Sequence, residues 1–110
     1  MLKKTNRLTK AQFDQYFKSG KKHHFSHLTI IYQPFPTLLG SVVVGKKVSK
    51  SAVRRNTLRR RVYARFTVLT SEKSTTGVFI IILKPTYNSL TRAAADEFLV
   101  ESIEAILQTA

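Results

Sequence analysis

Six arginines fall between positions 54 and 65: Arg54, Arg55, Arg59, Arg60, Arg61 and Arg65. None has an Asp or Glu three or four positions away, so a helix carrying them gathers like-charge neighbours with no internal relief. A guanidinium is a planar fork of donors that matches pairs of phosphate oxygens and also stacks on bases. The chemistry of this run is therefore the holding of a polyanion. Lys46, Lys47 and Lys50 lead into it, placing positive charge beside the free backbone donors of a helix N-terminus, where phosphate binds well.

Residues for bond breaking are scarce. A protein that hydrolyses phosphodiesters with metal ions clusters carboxylates to hold the cations, and here Asp14 is the sole acid in the first 71 residues. Asp96, Glu97, Glu101 and Glu104 sit near the C-terminus, where they offset charge. His23, His24 and His27 raise a zinc or acid-base reading, but no Cys or nearby carboxylate completes a ligand set. They fit a loop or edge strand with some nucleic-acid contact. Phe13 and Phe17 have two readings, as the core side of an amphipathic helix or as platforms for unpaired bases flanked by Lys10, Lys18 and Lys21. Tyr32, on a candidate strand, is a further stacking candidate.

Charge divides the chain in two. Residues 1–66 carry sixteen Lys and Arg against Asp14, whereas residues 67–110 carry three against five acids, sums of +15 and −2 that give the net +13. Self-repulsion of this size calls for an anionic partner, a nucleic acid or a membrane. The longest apolar run, Val78 to Leu83, is too short to span a bilayer, and the basic start has no apolar stretch behind it. Nucleic acid is the expected partner. The absence of cysteine excludes disulfides and thiolate sites and suits the cytoplasm. A length of 110 residues fits one RNA-binding domain over residues 1–110.

The elements that must position these groups follow from periodicity. A helix is expected over Thr9 to Ser19, with Thr9 as its cap, Phe13, Tyr16 and Phe17 on one face, and Gly20 as its stop. Leu28–Gln33 and Gly40–Lys47 read as strands joined through Pro34-Phe35-Pro36 into an antiparallel hairpin, with a weakly signalled extra strand near Lys22–Phe25. Ala52–Leu69 is a second helix whose Leu58, Val62, Phe66 and Leu69 form a core stripe. Asn56, Arg59, Arg60 and Tyr63 lie on one flank of that stripe, Arg54, Arg61 and Arg65 on the other, and Arg55 near its N-terminal edge. Val78–Leu83, apolar throughout, reads as a central strand buried on both faces, and Thr91–Leu107 as an amphipathic last helix. The order describes an α+β sandwich with helices packed on one sheet.

The stretch from Gly40 through Val42-Val43-Val44, Lys46-Lys47, Ala52-Val53, Arg55-Asn56 and Arg59-Arg60 resembles the signature of the bacterial ribonuclease P protein family. Arg7-Leu8 with Phe13, Phe17 and Gly20 is similar to that family's first helix, and the strand ending Lys84-Pro85 to its last strand. One position departs. The family has a further Arg three residues beyond the basic pair where this chain has Tyr63, which leaves Arg61 or Arg65 to compensate, or Tyr63 to stack on a base. The resemblance implies an α-β-β-β-α-β-α two-layer fold with a left-handed β-α-β crossover on a mixed sheet, against the usual right-handed rule. It implies the protein subunit of a tRNA 5′-maturation endoribonuclease whose catalysis is carried by RNA, with Mg2+ held mainly by that RNA, none by the protein alone, and a 1:1 ribonucleoprotein. By the same resemblance Lys46, Lys47, Lys50, Arg54, Arg55, Asn56, Arg59, Arg60 and Arg61 contact the catalytic RNA. Phe13, Phe17 and Tyr32 contact the 5′ leader of precursor tRNA in a cleft between the first helix and the sheet. Rival readings are a structural RNA-binding protein of ribosomal type, a duplex-DNA binder, and a nuclease needing no RNA.

Overall fold

A computed structural model describes residues 6–109; Lys3 and Lys4 of the basic N-terminal stretch lie outside the described residues. The elements run α1 (Lys10–Ser19), β1 (Lys21–His24), β2 (Leu28–Gln33), β3 (Leu38–Val43), α2 (Ala52–Glu72), β4 (Gly77–Leu83) and α3 (Arg92–Thr109), with a 3-10 turn at Pro85–Ser89 before α3. The four strands form one mixed sheet in the order β1-β2-β4-β3.

That order corrects the expected hairpin. β2 and β3 do not pair: β4 lies between them, antiparallel to β2 and parallel to β3. The physical reason is in β4 itself, whose Val78 to Ile81 are buried. A strand apolar on both faces belongs in the middle of the sheet, where both faces are covered, and the Pro34-Phe35-Pro36 connection steps across the end of β4, where the Gly77 N–H donates to the Thr37 carbonyl at 3.1 Å. The true hairpin is β1–β2, turned by the Phe25 N–H donating to the Leu28 carbonyl at 2.8 Å. β1 reads Lys-Lys-His-His and signals weakly because it is an edge strand, where charge keeps other chains from pairing.

Register sorts the side chains into two faces. On one, Leu28, Ile30, Val42, Phe79, Ile81 and Leu83 pack under α2 and α3, with Phe66 meeting Phe79 edge-to-face at 5.3 Å. On the other, Ile31, Leu39, Val78 and Ile80 pack against Tyr16 of α1. α1 is started by a capping box, in which the Gln12 N–H donates to Thr9 Oγ1 at 3.1 Å and the Thr9 N–H to Gln12 Oε1 at 2.9 Å. At its end Gly20 has φ −71°, so its role is space: a Cβ there would come within 2.5 Å of Ile31 Cγ2.

The α2 stripe falls as its spacing demands, with Leu58, Val62, Phe66 and Leu69 all buried. Tyr63 widens it. The ring is buried and its hydroxyl accepts the Val42 N–H at 3.1 Å, using a backbone donor that edge strand β3 would otherwise leave unpaired. Tyr63 is thus a fastener between α2 and the sheet edge, and it is not presented for stacking on a base.

Candidate nucleic-acid interface

α2 begins at Ser51, whose side chain accepts the Arg54 N–H at 3.2 Å, and has no acid in its first turn. Its positive end therefore faces outward unneutralised. The β3–α2 loop in front of it exposes Lys46, Lys47 and Lys50. Two of the arginines hold this loop in shape. Arg55 donates from Nη1 to the Ser49 and Lys50 carbonyls at 2.9 and 3.0 Å. Arg54 donates from Nε to Asn88 Oδ1 at 2.8 Å, and Asn88 Nδ2 in turn donates to the Val48 carbonyl at 3.3 Å. The 3-10 turn after β4 thereby clamps the start of α2, a role for Asn88 that no sequence periodicity signals.

The two flanks of α2 differ in how much charge they leave available. On the Tyr63 side, Asn56 and Arg60 are exposed, and Arg59 donates to Asn56 Oδ1 at 2.6 Å; this bond fixes one edge of the Arg59 fork and leaves its other donors free. On the opposite side, Arg54 and Arg61 border a narrow cleft with Asp96 and Arg92 of α3, and Arg65 lies further along with Arg61. The Asp96 carboxylate partly offsets that flank. It also acts with burial to push Tyr87 up to about 12, against the opposing pull of Arg61, burial being the larger cause. Among the described residues no ion pair engages an arginine of α2, and the Asn56–Arg59–Arg60 flank with the lysine loop presents exposed cationic and polar groups to an anion.

The second candidate surface lies on the α1 face. Phe13 and Phe17 stack on each other at 5.7 Å, Phe17 is 38% exposed, and Lys22 Nζ stands 5.2 Å from the Phe17 ring centre. Tyr16, between them in sequence, is the α1 residue that enters the core. Register places Lys22, Ile31, Ile80 and Ser41 in one row across this face and His24, Thr29, Ile82 and Val43 in the next. Val43 and Ile82 are half-buried, so a strip of sheet beyond α1 stays accessible. It ends at Val43, three residues before Lys46. Lys22, His24, Ser41, Val43 and Ile82 are not legible as surface residues from sequence, because which strand neighbours which decides the rows.

Tyr32 does not join this surface. It shares its face with Leu28 and Ile30, meets Phe79 at 5.0 Å with the rings tilted, and so lies on the opposite side of the sheet from Phe13 and Phe17. Strand alternation forces this, since Ile31 occupies the α1 side. Gly77, at φ +123°, makes room for it: a Cβ there would meet Tyr32 Cε1 at 2.8 Å.

Among the described residues no group of three or more His, Cys, Asp or Glu side chains gathers in a metal-binding arrangement. His24 Nδ1 is bonded to Thr29 Oγ1 at 3.1 Å and His27 Nδ1 to Thr86 Oγ1 at 2.8 Å. No described helix is long and apolar enough to cross a membrane.

A mixed four-stranded sheet bearing an uncompensated arginine helix on one side and an aromatic-lysine patch on the other defines a basic α+β nucleic-acid-binding protein. The ribonuclease P family model matches residues 2–108, and the chain belongs to that family. The ribonuclease P protein component of Microcystis aeruginosa is 37% identical over 83 residues, covering 69% of this chain and 68% of that protein. A Staphylococcus aureus ribonuclease P protein, a mutant described as defective in mRNA degradation, superposes with TM-score 0.80 at 22% identity, covering 96% of this chain and 90% of that one. The Thermotoga maritima protein superposes with TM-score 0.72 at 22% identity, covering 86% and 92%. The chain is thus the protein component of a ribonucleoprotein enzyme whose family role is tRNA 5′ processing together with an RNA subunit.

Proposed function

We propose that this chain binds the catalytic RNA of ribonuclease P through Lys46, Lys47, Lys50, Asn56, Arg59 and Arg60, and holds the single-stranded 5′ leader of precursor tRNA on the Phe13–Phe17 face. Arg54 and Arg55 act mainly by shaping the loop, and Arg61 contributes from the α3 flank. Bond breaking is left to the RNA, which also holds the Mg2+ of the complex; the assembly is a 1:1 ribonucleoprotein of the cytoplasm with no membrane partner. The observation that carries this reading is the continuity of the two surfaces. The open sheet row ends at Val43, and the chain passes at once into the lysine loop and the free end of α2, so one RNA can be gripped while a strand lies alongside. Family membership sets aside the ribosomal reading.

Assembly with the catalytic RNA should depend steeply on salt. Replacing Arg59 and Arg60 together with Ala is expected to reduce the slope of log affinity against log salt by about 0.7 to 0.9 for each phosphate no longer neutralised. An unaltered slope contradicts their assigned role.

A further inference from the structure

On the side of the sheet away from α1, the ends of β1 and β2, the α2–β4 turn and the last turn of α3 enclose a recess of about 580 Å³. That lies within the usual size of small-molecule sites, roughly 300 to 1,000 Å³. Its floor is apolar, built from Ile106, Leu107 and the ring of Tyr32. Tyr32 lines the recess, its ring tilted against Phe79 at 5.0 Å and passing close to the bare Cα of Gly77. Its rim is cationic. Lys21 stands directly opposite Tyr32 in the β1–β2 register, and Lys73 reaches in from the end of α2.

Among the described residues no acid lines the recess. Lys73 has a partner in Glu104, but at 3.7 Å and with both side chains more than 40% exposed that pair is loose, and an incoming anion displaces it at little cost. His23 and the Thr75 and Thr76 side chains add neutral hydrogen-bonding groups. The imidazole sits below its ordinary pKa, first through burial and then through the Lys21 ammonium, so it is mostly neutral at pH 7. A flat aromatic body beneath a phosphate matches this combination of stacking wall, apolar floor and two-lysine rim.

We propose that this recess is a nucleotide-binding site, taking the base against Tyr32 and the phosphate between Lys21 and Lys73. It is separate from the α1 face, so its failure would leave the leader assignment standing. Backbone-amide NMR of the full chain titrated with AMP tests it. The expected result is saturable shifts at Lys21, His23, Thr76 and Leu107, with adenosine about tenfold weaker for want of the phosphate contact. Lys73→Glu should weaken AMP about tenfold, and Leu107→Trp should remove the shifts at Lys21 and His23 by filling the floor. A 5′-phosphorylated tetra-adenylate separates the sources. Tighter binding than AMP at the same amides identifies an unpaired RNA strand as the ligand; equal or weaker binding identifies a free nucleotide. AMP shifts confined to the Lys46–Arg60 region, inorganic phosphate reproducing the AMP pattern, or Lys73→Glu without effect would each overturn the proposal.

Discussion

The two faces of the sheet are covered very differently. Under α2 and α3 the layer is continuous, and Phe66, Phe79, Leu99, Ile103 and Ile106 are almost wholly excluded from water. Under α1 the cover is partial: Tyr16 is the one α1 residue buried there, Phe17 remains exposed, and Val43 and Ile82 are half-buried. Stability is concentrated in the first face, and the second trades burial for accessible apolar and aromatic surface. An open face of this kind is what the proposed leader-holding role requires.

Single substitutions should separate the two. The largest effect is expected from Phe66→Ala, which removes a buried ring and its packing on Phe79. It should destabilise the fold by about 3 to 5 kcal/mol in urea unfolding. Phe17→Ala should cost far less, about 0.5 to 1.5 kcal/mol for the lost contact with Phe13, yet weaken binding of leader-bearing substrate by about 1 to 3 kcal/mol by removing a stacking platform. If Phe17→Ala unfolds the protein and leaves substrate affinity intact, the contrast between the faces is wrong.

Tyr63→Phe should cost about 1 to 2 kcal/mol, because it leaves the Val42 N–H without its acceptor, while catalytic-RNA affinity per folded molecule stays unchanged. A fall in affinity with no fall in stability would return Tyr63 to a base-stacking role. The smallest effect concerns His23. Its folded pKa lies below the unfolded value of about 6.5, for burial and then Lys21 disfavour the charged ring. Above that pH both states are neutral. As pH falls below it, the unfolded chain takes the proton first and stability declines. The melting temperature should therefore fall slightly between pH 7.5 and 5.5, by less in His23→Asn.

Much of this is legible in residues. The α2 stripe, the fully buried β4 and the amphipathic α3 follow from spacing, and the arginine cluster announces a polyanion without any structure. What escapes is non-local. The insertion of β4 between β2 and β3 is a tertiary choice, and with it go the rows that define the open strip. From sequence Tyr32 groups with Phe13 and Phe17, because alternation gives two faces but does not say which one α1 covers. Tyr63 reads as available because its hydroxyl's partner, Val42, is 21 residues away.

The central claim is that the α1 face holds the leader while the RNA cuts. The direct measurement is the affinity of the reconstituted complex for precursor tRNAs of increasing leader length, with and without this protein. Affinity should rise with leader length only when the protein is present and should no longer do so in Phe17→Ala. A preference unchanged by the protein, or cleavage by the purified chain without RNA, would contradict the account.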